Sequence, residues 1–253
     1  MSPQRTSLLK YLTDLALMIK AGAIVPEPDL EPHIFLPANQ YAQNQILKTV
    51  GHPTLLDLLG YLRDEVEDHP TMTAQNGTVR IIPDYVLRVD KVVVAVLELK
   101  APSINIALDS FTQQIISYCL QTNAPLGFLF NGTSLRVFVN TNYNGFARQR
   151  ALFTTEPVLS IHTGNTDELA TAFYKLTRPD SVHHAVEMGR RLASDQKRQL
   201  ESKERRKEIG KILKECFNNP TDELFDCLSG MNTAWSGMKV NPTAAEIKAI
   251  WKP

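Results

Sequence analysis

Asp84, Glu98 and Lys100 are the residues of this chain whose types and spacing suit a reaction. Two carboxylates offer the oxygen ligands that a hard divalent cation prefers. A cation held there polarises a phosphodiester and lowers the pKa of a bound water. A lysine beside it can orient that water or help deprotonate it, and it offsets charge building on the phosphorus centre. The backbone carbonyl of Leu99, between the glutamate and the lysine, is a further oxygen ligand. The bland counterpart is a structural ion pair at a strand end, in which Asp84 satisfies Lys100 and does nothing more.

These residues need two neighbouring strands. The run "VVVAVLELK" (92–100) stays apolar until its last residues, as a buried strand does. Side chains alternate along a strand. Glu98 and Lys100 are therefore expected on one face with Val96 and Val94, and Leu97 and Leu99 on the opposite face, in the core. Upstream, "TVRIIPDYVLRV" (78–89) reads as a second strand. Asp90-Lys91 leaves room only for a tight turn, which makes the two strands antiparallel. Counted back from that turn, Asp84 falls opposite Ala95 to Leu97, so it meets Glu98 only if the register is offset. Pro83 removes a ladder donor there, and the strands are expected to splay.

After Pro102, "INIALDSFTQQIISYCLQTN" (104–123) predicts an amphipathic helix with Leu108, Phe111, Ile115 and Cys119 along one stripe. Gln114 and Tyr118, four apart, project from the same side and flank that stripe. The bland counterpart is an exposed helix face with a half-buried tyrosine. "PLGFLFNGTSLRVFVN" (125–140) then predicts a second hairpin, with Asn131-Gly132 near its turn.

Together, "PDYVL", "LELKAP", the Q-x-x-x-Y pair Gln114/Tyr118 and "LFNGTSLRVF" resemble the PD-(D/E)xK nuclease superfamily, and within it the N-terminal nuclease domain of type I restriction enzyme motor subunits. The resemblance covers roughly residues 40–150. It implies Asp84 and Glu98, with the Leu99 carbonyl, as metal ligands and Lys100 as the catalytic lysine. Gln114 and Tyr118 would contact the DNA backbone or brace the lysine. The implied cofactor is Mg2+, with Mn2+ as a substitute, and the implied partner is DNA. Family members often carry a further glutamate on the first helix. This chain has "AQNQIL" at the expected place, with Gln43 and Gln45, and Glu65 and Glu67 at a less convincing one. The motor subunits also carry an ATP-driven translocase. No G-x-x-x-x-G-K-[ST] occurs here, so a nuclease acting without a translocase is expected.

The rest of the chain frames this core. Residues 1–24 predict a helix with Leu8, Leu12, Leu15 and Ile19 at helical spacing. "PEPDLEPH" (26–33) reads as an irregular connection, residues 38–50 and 53–68 as two helices, and Asn76-Gly77 as a turn. From about Asp167 strand signals vanish. A long helix or helix pair follows, with ten Lys/Arg and five Asp/Glu between His183 and Lys214, interspersed as on a solvated or dimerising face. Two short helices end the chain. Trp235 and Trp251 read as anchors for that tail.

The expected architecture is α/β: a mixed central sheet of restriction-endonuclease type, flanked by helices and followed by a helical C-terminal extension. The expected division is an N-terminal helical segment (1–37), a nuclease-like core (38–165) and the extension (166–253). The chain has 253 residues, 43% hydrophobic and 21% charged, with zero net charge. No global positive field advertises nucleic acid, though a local basic groove remains compatible with that balance. Three cysteines without CxxC spacing argue for free thiols and against a zinc site. No stretch reads as a membrane span or signal peptide, so a cytoplasmic location is expected. A homodimer through the C-terminal helices is the expected oligomer. The alternative to an active endonuclease is a nuclease-fold DNA-binding module without turnover, acting with a partner. A third reading is an unrelated α/β protein with a chance E-x-K.

Overall fold

The hairpin expected to carry the candidate residues forms, and its geometry decides the site. In the computed structural model, which describes residues 2–36, 53–73, 80–140, 143, 157–161, 165–216, 222–230, 235 and 240–250, strand β4 (Tyr85–Val89) pairs antiparallel with β5 (Val92–Leu99). Asp90 and Lys91 both adopt left-handed φ (49° and 66°), the two-residue turn whose twist matches the flanking strands. Val89 faces Val92 and Arg88 faces Val93, but Leu87 faces Ala95. Val94 is thus an extra residue, a β-bulge. It turns to the same side as Leu97 and Leu99, not to the side of Val96 as strict alternation predicts. Beyond the bulge Tyr85 faces Leu97, so the next step of the register sets Asp84 opposite Glu98. Without it Asp84 would fall opposite Leu97, on the wrong face.

Short strands β1 (Val66–Asp68), β2 (Met72–Thr73) and β3 (Arg80–Ile81) precede the hairpin; β6 (Leu126–Phe130), β7 (Leu135–Val139) and β8 (Leu159–Ile161) follow it. Six of them form a mixed sheet in the order β1-β4-β5-β6-β7-β8, and β2 and β3 form a separate pair. Within the sheet β5 and β6 are parallel and the other neighbours antiparallel. The parallel step requires a crossover, which is the helix Asp109–Thr122.

The helices, in chain order, are α1 (Pro3–Lys20), α2 (Glu27–Ile34), α3 (Leu55–Leu59), α4 (Asp109–Thr122), α5 (Thr166–Lys175), α6 (Val182–Cys216), α7 (Asp222–Gly230) and α8 (Ala244–Ile250). Contacts divide the chain into two units, Met1–Ala193 and Ser194–Pro253. In the first, one sheet face (Tyr85, Leu87, Ala95, Leu97, Phe128, Phe130, Val137) packs in a core with residues of α1, α2, α3, α5 and the start of α6. The other face (Val86, Val93, Val96, Leu129, Phe138) takes Ile115 and Cys119 of α4. Gly127 makes that second contact close. A Cβ there would lie 2.7 Å from Cys119 Sγ and 3.0 Å from Ile115. Missing that atom, β6 lets α4 settle low over the sheet.

Several expectations change. "PEPDLEPH" contains a helix, α2, because Pro28 sits in its first turn, where no N–H bond is lost, and Leu30, His33 and Ile34 are buried. Only Pro32 falls late enough to cost an intrahelical bond. The helix expected over 53–68 stops at Gly60, a left-handed cap (φ 91°). A 3-10 turn (Arg63–Glu65) follows, and Val66–Asp68 pairs with the edge of β4. Leu108 leaves the predicted stripe. It precedes the first turn of α4 and is 51% exposed, and Thr112 is buried in its place. Residues 38–50, with Gln43 and Gln45, and also Asn76-Gly77 and Trp251, lie outside the described residues.

The second unit has its own small core of Ile209, Phe225, Leu228, Trp235 and Ile247. The Trp235 indole N–H donates to the Leu228 carbonyl at 2.6 Å. No described helix is long and apolar enough to cross a membrane.

Candidate active site

Asp84 sits just ahead of β4, after Pro83, and its carboxylate crosses to β5. Asp84 Oδ2 accepts the Leu99 N–H at 2.6 Å. On the far side, Lys100 N–H donates to the Phe130 carbonyl at 3.0 Å. In a trans peptide the carbonyl points opposite to the N–H. The Leu99 carbonyl is therefore directed away from β6, to the side where Asp84 lies.

Glu98 is almost fully buried, on the α4 face. Its Oε1 accepts from the Lys100 ammonium at 2.6 Å and from the Gln114 side-chain amide at 2.8 Å. The same Gln114 nitrogen lies 2.9 Å from Tyr118 Oη. Gln114, Tyr118, Glu98 and Lys100 thus form one hydrogen-bonded chain, possible because α4 sits low over Gly127. The Lys100 ammonium also lies 5.4 Å from the centre of the Phe111 ring.

Glu98 Oε2 is buried and makes no hydrogen bond among the described residues. A buried carboxylate oxygen without a partner is costly. Burial, then the charge of Asp84, pushes the Glu98 carboxyl up to about 7, against the opposing pull of Lys100 and the Asp84 N–H. Burial also raises Asp84. Lys100 goes the other way: burial would lower it, but the bond to Glu98 and the nearby carboxylates outweigh that and hold it above its usual value. Its side chain stays an ammonium at neutral pH.

Sequence reasoning missed a second group. The His69 N–H donates to the Asp84 carbonyl at 2.7 Å, and its ring Nε2 lies 3.6 Å from Asp84 Oδ1. Nδ1 of the same ring lies 2.6 Å from Asp68 Oδ1. From α2, Glu31 comes within 3.9 Å of His69 Nε2. Burial raises the Glu27 carboxyl, on the same helix, and its charge interacts with those of Lys100 and Asp84. Two glutamates four apart on one helix were a readable signal, masked by the prolines around them. Glu65 and Glu67, weighed as acids for the site, are engaged elsewhere. The Arg178 guanidinium binds Glu65 bidentately, and Arg88 does the same for Glu67 at 2.9 and 3.1 Å.

Asn131 has more to do than a turn requires. Its amide donates to the Ile104 carbonyl at 2.9 Å, while its side-chain oxygen accepts from Ser134 N–H at 2.8 Å. It ties the segment after Lys100 to the β6–β7 turn.

Residues 70–146 match the protein family described as the type I restriction enzyme R protein N terminus. The matched stretch spans less than half of the chain and contains Asp84, Glu98, Lys100, Gln114 and Tyr118. It relates this part of the chain to a restriction-enzyme domain. No curated protein and no solved structure matches the chain.

Among the described residues, no three His, Cys, Asp or Glu side chains form a group that could hold a metal by themselves. Mg2+ does not require one, because it keeps several waters and takes one or two carboxylates. The unpartnered Glu98 oxygen and the Asp84 carboxylate, each disfavouring the other's charge, fit such an ion.

Proposed function

We propose that this chain is a divalent-cation-dependent nuclease of the PD-(D/E)xK type that hydrolyses DNA phosphodiester bonds. The observation that carries this reading is the buried, unpartnered Glu98 Oε2 beside Asp84, with the Lys100 ammonium bonded to the other oxygen of the same carboxylate. The family match over residues 70–146 supports it. Asp84, Glu98 and the Leu99 carbonyl would hold the cation. When bound, Mg2+ or Mn2+ supplies a Lewis acid that polarises the scissile phosphate and acidifies a water.

The protein's own groups do the rest. Lys100, kept charged, orients the attacking water and offsets negative charge on the phosphate; as an ammonium it does not take the proton. Gln114 fixes Glu98 Oε1, leaving Oε2 for the cation. Tyr118 holds Gln114. Glu27 and Glu31, on α2, take the part of the first-helix glutamate of the resembled family, which this chain lacks at Gln43 and Gln45.

The test is cleavage of supercoiled plasmid DNA with Mg2+ or Mn2+. We expect nicking or linearisation that is lost in Asp84→Ala and in Lys100→Ala. Cleavage that survives both substitutions overturns the assignment. DNA binding with no cutting under either cation favours a module without turnover.

A further inference from the structure

We propose that Phe111 is a positioning residue for Lys100, its ring face holding the ammonium in register for the reaction. The inference rests on the nuclease reading above and goes beyond the residues that reading uses. Lys100 has four rotatable side-chain bonds and three N–H donors. A single hydrogen bond, to Glu98 Oε1, is shown for the ammonium among the described residues, and one such bond leaves the head free to swing about it. The second restraint is the ring of Phe111, its centre 5.4 Å from Nζ, within the range of a cation–π contact. The Lys100 side chain is only 13% exposed, so water screens this attraction little.

The ring is itself fixed. Phe111 packs against the cluster of Val86, Val96, Ile115 and Cys119, the cluster that Gly127 brings down onto the sheet. On α4 it lies three residues before Gln114 and seven before Tyr118, a spacing that puts all three on one ridge. One helix face therefore sets both halves of the pair. Gln114 holds the carboxylate of Glu98, and Phe111 holds the ammonium bonded to it.

Three full-length variants test this: Phe111→Leu, Phe111→Tyr, and replacement of Phe111 by 3,4,5-trifluorophenylalanine, which keeps the ring's shape but cancels the negative charge of its face. Two readouts are taken. One is the single-turnover rate of plasmid cleavage with Mg2+ at saturating protein, with DNA affinity measured separately. The other is the rate at which an amine-acylating reagent labels Lys100 in metal-free protein, read by peptide mass spectrometry.

We expect the leucine and trifluoro variants to cleave about fivefold more slowly with unchanged DNA affinity, and to label about threefold faster at Lys100. The tyrosine variant should stay within about twofold of the parent in both. Parent-like behaviour of the trifluoro variant overturns the inference, as does an equal loss in the tyrosine variant. A loss confined to DNA affinity also overturns it and makes Phe111 a substrate contact. The labelling readout needs no cleavage. Absence of cutting in the parent protein sinks the nuclease reading while labelling still decides the role of Phe111.

Discussion

Glu98 and Glu65 are both buried glutamates bonded to a cation, and they sit in opposite electrostatic states. Glu65 has every oxygen used: Arg178 binds both, and the Leu62 N–H donates to Oε2 at 2.9 Å. The Arg178 bond, against the effect of burial, holds its carboxyl below the usual value. Glu98 has one oxygen doubly bonded and the other bare, an acid opposite it in register, and a carboxyl raised to about 7. A bidentate arginine completes a structural pair. A point-charge lysine on one oxygen leaves the second oxygen to be completed by something else. The contrast separates an ion pair whose oxygens are all satisfied from one that leaves a buried carboxylate oxygen uncompensated.

The largest effect expected from breaking the comparison is on cleavage. Glu98→Gln should lower Mg2+-dependent cleavage by about a thousandfold, because it removes a charge from the proposed cation site. Glu65→Gln should leave cleavage per folded molecule unchanged within about twofold, since only a structural pair is lost. Both are read by gel assay on matched amounts of folded protein. Equal losses in the two variants would collapse the distinction.

Stability should respond in the reverse order. Glu65→Ala strands the Arg178 guanidinium and should cost about 3 kcal/mol in denaturant unfolding. Glu98→Gln, which keeps the shape and removes the repulsion with Asp84, should be neutral or stabilise by about 1 kcal/mol at pH 8 without metal.

The pH dependence sharpens the difference further. A carboxyl raised in the fold binds its proton more tightly there than in the unfolded chain. Metal-free protein should therefore lose stability as pH rises from about 4.5 to about 7, by about 2 kcal/mol, and Glu98→Gln should flatten that fall. Glu65, lowered in the fold, contributes the opposite slope: stability present above its unfolded pKa and lost as pH falls through the folded one. Denaturant midpoints across pH 3 to 8 read both (approximate range). The smallest effect is on cation binding: Mg2+ should raise the melting temperature by about 1–3 °C more at pH 8 than at pH 6, because the cation competes with the proton on Glu98.

How legible this was in the sequence depends on the range of the interactions. The apolar run of β5, the tight turn at Asp90-Lys91, the antiparallel pairing and the same-face spacing of Gln114 and Tyr118 follow from local alternation and helical period. They could be read from neighbours a few residues apart, and the α/β architecture followed from their order. The bulge at Val94 could not. Nothing in the run of three valines marks that one residue leaves the ladder, yet whether one does decides whether Asp84 meets Glu98 or Leu97.

By itself, then, the amino-acid order determined the chemical inventory: an aspartate before one strand, E-x-K at the end of the next, and Q-x-x-x-Y on the helix that follows. The tertiary structure decided what those groups are to one another. It aligned Asp84 with Glu98 through one extra residue, brought α4 down over Gly127 so that Gln114 and Phe111 reach the Glu98–Lys100 pair, and carried Glu27 and Glu31 in from α2. It also withdrew Glu65 and Glu67 into arginine pairs. The reason is physical. Hydrogen-bond saturation and burial, which set the charge state of each carboxylate, are sums over neighbours that the chain brings together only when it folds.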